Sequence, residues 1–220
     1  MSVKKVSQER WMQAQKWEGD VWAGCVTPDG DDWNNWWAAH FDSYKFLPAN
    51  LGDVIELGCG PYTNIRVIMR GRAWKRVVCS DPLASRYLTL PCWLAIAHKS
   101  KLIEIDNHTA ESCSYQPGSF DLAIMNNVLD HVQDADACLA KAVGLVKPGG
   151  IFILGQDLSN AEDEKKYPHD VGHPIRLLLE DITPYLVDFV PIINKTISRA
   201  EGRNPDAHYG TLIYAGRKQA

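Results

Sequence analysis

The chain contains no uninterrupted apolar run near the roughly 18 residues that a membrane span needs, so no spanning helix is expected. Its N-terminus, Met1-Ser2-Val3-Lys4-Lys5, passes into the polar Ser7-Gln8-Glu9-Arg10 where a secretory signal would carry an apolar core. The expected location is therefore the cytoplasm. The six cysteines, at 25, 59, 79, 92, 113 and 138, include no C-x-x-C pair and stand far apart, which argues against a zinc or disulfide framework. Several, such as Cys79 in Val77-Val78-Cys79, lie in apolar runs and read as buried, reduced thiols. Positive charge is not in excess: 23 Lys plus Arg against 27 Asp plus Glu leave a net charge of −4. A mildly acidic protein is not one built to coat nucleic acid or anionic lipid. Internal repeats and low-complexity linkers are missing too. The expected organisation is one domain over residues 51–220, preceded by a helical extension or lid over residues 1–50.

What is present fits a single α/β domain: 220 residues, 45% apolar and 23% charged. Residues 7–47 hold most of the tryptophans, and the loop Thr27-Pro28-Asp29-Gly30-Asp31-Asp32 divides them into two expected helices. In the second, Trp33, Trp36, Trp37, His40, Phe41 and Tyr44 recur at three-and-four spacing, which predicts one shared aromatic face. From residue 53 short apolar runs alternate with helical stretches: 54–57, 77–80, 102–105, 122–125 and 151–154. A helix is expected from Ala135 to Val146, stopped by Lys147-Pro148-Gly149-Gly150. This alternation predicts right-handed βαβ units and a doubly wound, mostly parallel sheet covered on both faces. Residues 187–197 and 209–216 read as an antiparallel hairpin at the sheet edge.

The segment richest in chemical information is Val54-Ile55-Glu56-Leu57-Gly58-Cys59-Gly60-Pro61-Tyr62-Thr63-Asn64. A buried strand ends in an acid, then Gly-x-Gly, then a helix starting near Thr63 or Asn64. Glycines belong there because the turn is tight and a ligand has to touch backbone. The third glycine of a dinucleotide fingerprint is replaced by Thr63, so a pyrophosphate has less access to the helix start. Glu56 stands where it attracts a cationic ligand or orders the loop. A sulfonium bearing an amino group suits such a site better than a pyrophosphate.

Asp81, with Pro82 behind it, follows the second strand about 20 residues past the turn, where a carboxylate accepts both hydroxyls of a ribose. The alternative there is a helix N-cap. After the third strand, Thr109, Ala110 and Glu111 would lie beside an adenine ring. After the fourth come Asn126 and Asn127, two polar residues in the crevice where strand order reverses.

Together, Glu56-Leu57-Gly58-Cys59-Gly60, Asp81, Ala110-Glu111, Asn127-Val128-Leu129-Asp130-His131-Val132 and Leu145-Val146-Lys147-Pro148-Gly149-Gly150 resemble the class I S-adenosylmethionine-dependent methyltransferases, over about residues 53–157. The resemblance implies a seven-stranded sheet with an antiparallel last strand, S-adenosylmethionine as cofactor and S-adenosylhomocysteine as product. It implies that Gly58 and Gly60 approach the methionine part, with Cys59 and Asn64 alongside, Asp81 the ribose, and Ala110 with its neighbours the adenine. Where the family often has Asp before Ala-Glu, this chain has Thr109, so adenine binding would use that hydroxyl, Glu111 or backbone groups.

Methyl transfer from a sulfonium is an in-line displacement that mainly asks the protein to align the acceptor and exclude water. A base is needed only where the acceptor sheds a proton early. The histidines considered are His131, His173, His169 and His40, with His131 and His173 carried as catalytic candidates. Trp37, Tyr44 and Tyr62 are carried as substrate contacts. No required metal is expected: Asp157 fits one position of a magnesium site but Asn126 stands at the other. His169 and His173 are flanked by Pro168, Gly172 and Pro174, which spoil a helical pair. The expected acceptor is a small molecule, a sugar or a lipid-linked intermediate, methylated at oxygen, nitrogen or carbon. A cofactor-binding interaction module without catalysis and a nicotinamide-dependent oxidoreductase are the competing readings.

Overall fold

A computed structural model describes residues 2–28, 30, 33–166, 170–202 and 210–220. The five apolar runs become the parallel strands β1 (Asp53–Leu57), β2 (Arg76–Ser80), β3 (Glu104–Asp106), β4 (Phe120–Asn126) and β5 (Val146–Leu158). With β6 (Phe189–Ile197) and β7 (Gly210–Lys218) they form one seven-stranded sheet of order β3-β2-β1-β4-β5-β7-β6. Strand β7 is antiparallel to both β5 and β6, so the terminal pair is the expected edge hairpin. The chain leaves β1 toward one edge and returns at β4 toward the other. The crevice beyond the carboxyl ends of β1 and β4 is therefore where an open α/β sheet takes its ligand.

The strands read as nearly continuous apolar runs because both faces are covered. Val54, Val77, Leu122, Ile124 and Ile153 pack with residues of α2 (Trp33–His40). Ile55, Val78, Ala123, Met125 and Phe152 belong to the opposite core, against α6 (Ala135–Leu145). Between these helices come α3 (Ile65–Ile68), α4 (Ala84–Tyr87) and α5 (Trp93–Lys99); α7 (Ala161–Lys166) and α8 (Leu179–Ile182) follow β5. The N-terminal α1 (Gln8–Cys25) starts where the Ser7 hydroxyl accepts from Arg10 N–H at 3.2 Å, and α6 starts on the Asp134 carboxylate. All six cysteines are free, and five are buried. No helix among the described residues is long and apolar enough to cross a membrane.

Three local expectations need correcting. The aromatic run is not one helical face. The buried stripe of α2 is Asn34, Trp37 and Ala38, while Trp33 is 37% exposed. The helix ends at His40, and Asp42, Ser43 and Tyr44 follow in left-handed backbone (φ 50°, 52° and 57°), which drops Tyr44 into the core. Lys147-Pro148-Gly149-Gly150 does not simply end a helix. These residues lie inside β5, where pairing with β4 jumps from Phe120–Val146 to Leu122–Ile151 and the extra residues bulge outward. The helix after the glycine turn is a single turn, α3, starting one residue after Asn64.

Candidate functional site

The glycine turn explains its own composition. Gly58 has φ +63°, and a Cβ there would stand 2.5 Å from the Val128 side chain, so only glycine fits. Gly60, at φ +58°, would meet nothing within 4 Å, because that side of the turn opens on the crevice. Glu56 sits beneath, 1% exposed. Its carboxylate accepts from the Thr63 hydroxyl, from Asn64 N–H at 3.0 Å, from Asn64 Nδ2 at 2.9 Å and from Ile65 N–H at 3.2 Å. Of the two sequence-level roles for Glu56, the structure supports ordering of the loop; its side chain does not reach the crevice wall. Asn64 does reach it, leaving its Oδ1 without a partner.

Asp81 faces the turn from the end of β2. Its Oδ2 accepts from Gly60 N–H at 3.0 Å and its Oδ1 from Leu83 N–H at 2.8 Å. The carboxylate thus closes a turn ahead of α4, whose N-cap is Leu83 and not the Asp81 of the helix-cap alternative, and lies in the crevice wall. Burial, helped by repulsion from Glu18 and Glu56, pushes its pKa up to about 7. Pro82 lines the same wall.

Thr109, Ala110 and Glu111 also line the crevice. The Thr109 hydroxyl is engaged locally, accepting from Ser112 N–H at 3.2 Å and pairing with the Ser112 hydroxyl at 2.9 Å. Glu111 Oε1 accepts from Gln133 N–H at 3.1 Å and Asp134 N–H at 3.2 Å, while Oε2 is buried without a partner. Asn126 is 7% exposed and lines the crevice; the Tyr44 hydroxyl faces it, but neither Nδ2 nor Oδ1 makes a hydrogen bond of good geometry. Asn127 takes φ +57°, a backbone role that asparagine tolerates and that polarity alone did not reveal.

The roof comes from the N-terminal extension. Asn34 Nδ2 donates to the carbonyls of Thr63 (2.7 Å) and Tyr62 (3.3 Å), fastening α2 to the glycine turn. Trp37 is 2% exposed and lines the crevice; its ring lies where a Cβ on Gly155 would come within 2.3 Å. Tyr62 also lines it, but its hydroxyl is held by Thr27, accepting from N–H at 2.9 Å and donating to the carbonyl at 3.0 Å. Tyr44, expected at the substrate, is instead placed in the core, fully buried and stacked on Phe41 with centroids 5.5 Å apart, and does not line the crevice. Sequence reasoning missed Trp11, Gln15, Glu18 and Trp22 of α1, which line the crevice as well. Their i, i+4 and i+3 spacing along one helix was the available signal.

At the far end stands His131. Its carbonyl accepts from Trp11 Nε1 at 3.1 Å and Gln15 Nε2 at 3.2 Å, docking α1, and its ring lines the crevice. His173 comes from the loop after β5, with ring centroids 4.7 Å apart. Burial lowers its pKa, but Asp170, at 2.7 Å from its Nδ1, and Asp130 outweigh that and raise it to about 9. His40 stacks on Trp36 outside the crevice, and His169 lies outside the described residues. Asp157 is tied to the Thr211 hydroxyl at 2.7 Å. The enclosed part of the crevice holds about 150 Å³ and widens at its mouth into open solvent.

A family model described as a methyltransferase domain matches residues 13–187. The chain belongs to the class I S-adenosylmethionine-dependent methyltransferases. No curated protein matches it. Among solved structures, this methyltransferase is similar to the [4+2]-cyclase SpnF, at 15% identity and TM-score 0.68 over 99% of this chain and 98% of that one. It is also similar to the 1,6-didemethyltoxoflavin N1-methyltransferase of Burkholderia thailandensis, solved with S-adenosylhomocysteine. The figures there are 18% identity and TM-score 0.64, over 100% of this chain and 94% of that one. A third is phosphoethanolamine N-methyltransferase 2 of Haemonchus contortus, at 17% identity and TM-score 0.65, over 84% of this chain and 53% of that one. Identities this low carry the fold alone. The crevice suits the family's cofactor on its own terms: an open backbone at Gly60, a buried acceptor at Asp81 and unpartnered polar atoms on Asn64, Glu111 and Asn126.

Proposed function

We propose that this methyltransferase transfers the methyl group of S-adenosylmethionine to a small-molecule acceptor, a sugar or lipid-linked intermediate included, at an oxygen, nitrogen or carbon atom. One observation carries the reading: a single cavity joins the Gly58–Gly60 turn and Asp81 at one end to Asn126, Trp37 and His131 at the other. When bound, the cofactor supplies a methyl on a sulfonium, a leaving group that needs no assistance.

The remaining work belongs to the chain. Asp81 accepts the ribose hydroxyls with lone pairs that Gly60 and Leu83 leave free. Backbone at Gly58, Cys59 and Gly60, with Asn64, holds the methionine part. Pro82, Ala110 and the backbone at Thr109 flank the adenine, and the unpartnered oxygen of Glu111 accepts from it. Asn126, beside Asn127, orients the reacting end. Trp37 and the Tyr62 ring exclude water from the acceptor, and His131 with His173 deals with any proton the acceptor sheds. Residues 1–50 act as the lid, since α1 and α2 supply the roof. A net charge of −4 and the cavity's dimensions favour a small acceptor over a nucleic acid. The free thiols support a cytoplasmic setting.

Transfer of tritiated methyl from S-adenosylmethionine into a small-molecule extract tests the reading, with Asp81→Ala as control. Label in low-molecular-weight product that vanishes with Asp81→Ala is expected. Tight cofactor binding without any incorporation would favour a non-catalytic binding module.

A further inference from the structure

Beyond the cofactor end, Asp130, His131 and His173 converge from two segments distant in sequence. One nitrogen of each ring and one carboxylate oxygen all lie within 4.8 Å of one another. His131 Nε2 stands 3.8 Å from Asp130 Oδ1. The Nδ1 atoms of both rings are held by other partners. His131 Nδ1 meets the Gly172 carbonyl at 3.2 Å, and His173 Nδ1 meets Asp170 Oδ2 at 2.7 Å. Asp130 Oδ1 itself accepts from Gln156 Nε2 at 3.1 Å. Imidazoles anchored at Nδ1 by a carbonyl or a carboxylate, with Nε2 left for another partner, are what metal-ligating histidines show.

We propose that Asp130, His131 and His173 bind a divalent first-row transition-metal ion at the acceptor end of the crevice. Two imidazoles and one carboxylate select zinc, iron, cobalt or nickel over magnesium, which prefers oxygen donors. An ion at about 2.0–2.2 Å from each donor places those donors roughly 3–3.5 Å apart, so closure by up to about 1.5 Å completes the set. Three protein ligands leave coordination positions open, and His131, which lines the crevice, connects the cluster to it. On the reading that this end receives the acceptor, the ion would hold an oxygen or nitrogen donor of that molecule and ease loss of its proton.

The test uses the full chain, stripped by a chelator and dialysed separately against Zn2+, Co2+, Ni2+ and Mg2+, with bound metal measured by mass spectrometry. One transition-metal ion per chain and no magnesium are expected. His173→Gln and Asp130→Asn each should weaken binding at least tenfold, and Asp170→Asn roughly tenfold through its hold on His173. Circular dichroism and titration with S-adenosylhomocysteine show that each variant remains folded. Equal uptake by the wild type and His173→Gln, or no uptake by a folded wild type, would overturn the site. The cluster would then be a protonated His173 held between carboxylates. Failure to bind S-adenosylhomocysteine would instead strike the proposed function and leave the metal result intact.

Discussion

Replacing Asp81 by Asn should make the protein more stable at high pH while weakening its grip on the cofactor. In the folded protein Asp81 keeps its proton up to about pH 7. In the unfolded chain it ionises near its ordinary value, about 3.9. Between those pH values the folded state holds a proton that the unfolded state has lost. Wild-type stability therefore falls as pH rises, by up to about 1.4 kcal/mol per pH unit. Asn does not titrate. It does lose one of two hydrogen bonds, since it offers a single oxygen to the N–H groups of Gly60 and Leu83, a pH-independent cost of about 1–3 kcal/mol. The variant should thus be the less stable protein near pH 4.5 and the more stable one, by about 1–3 kcal/mol, at pH 8. Urea unfolding of both proteins at pH 4.5, 6, 7 and 8 measures the difference. A difference that does not change with pH would refute the picture of Asp81 as a buried acid that keeps its proton until it meets a ribose. Affinity for S-adenosylhomocysteine should fall about 100-fold in the variant, since two charge-assisted bonds are lost.

Three further substitutions separate the site from the scaffold. Asn126→Ala removes an amide that faces the Tyr44 hydroxyl without a well-formed hydrogen bond, so thermal unfolding should move little, by about 1 kcal/mol or less. Methyl transfer by that variant should drop at least tenfold; a large loss of stability with unchanged activity would show the residue to be structural. Gly58→Ala forces a Cβ onto left-handed backbone and against Val128, at a cost of about 2–4 kcal/mol seen as a lower urea midpoint. An unchanged midpoint would mean that the turn is not held as described. Asn34→Ala frees α2 from the Tyr62 and Thr63 carbonyls, costing about 1–3 kcal/mol locally. Limited proteolysis should then cut within residues 1–50 before the rest of the chain, and protection equal to wild type would contradict a lid fastened at that point.

The sheet was legible because its signals are local: apolar runs of strand length, separated by helix-length gaps, leave little choice once both faces must be covered. The glycine turn and Asp81 were legible for the same reason, since backbone conformation at Gly58 and the end of β2 are set within a few residues. What failed depended on distance. Tyr44 shares a helical spacing with Trp37, yet the helix ends at His40 and the left-handed backbone of Asp42, Ser43 and Tyr44 itself sends one ring into the core and the other to the crevice. Glu56 looks like a ligand contact in sequence, but its four donors come from the loop that folds back over it. Glu18 and Gln15 showed nothing of their place beyond their spacing along one helix, because α1 is brought to the crevice by docking on the carbonyl of His131 and the loop at 170–173.

Calorimetric titration of S-adenosylhomocysteine into the wild type, beside NAD and beside the Asp81→Asn protein, probes the crevice at its two decisive groups. One nucleoside per chain should bind, NAD should not, and the variant should show the 100-fold loss. Binding of NAD alone, or S-adenosylhomocysteine affinity indifferent to residue 81, would mean that the gap between β1 and β4 serves some other ligand.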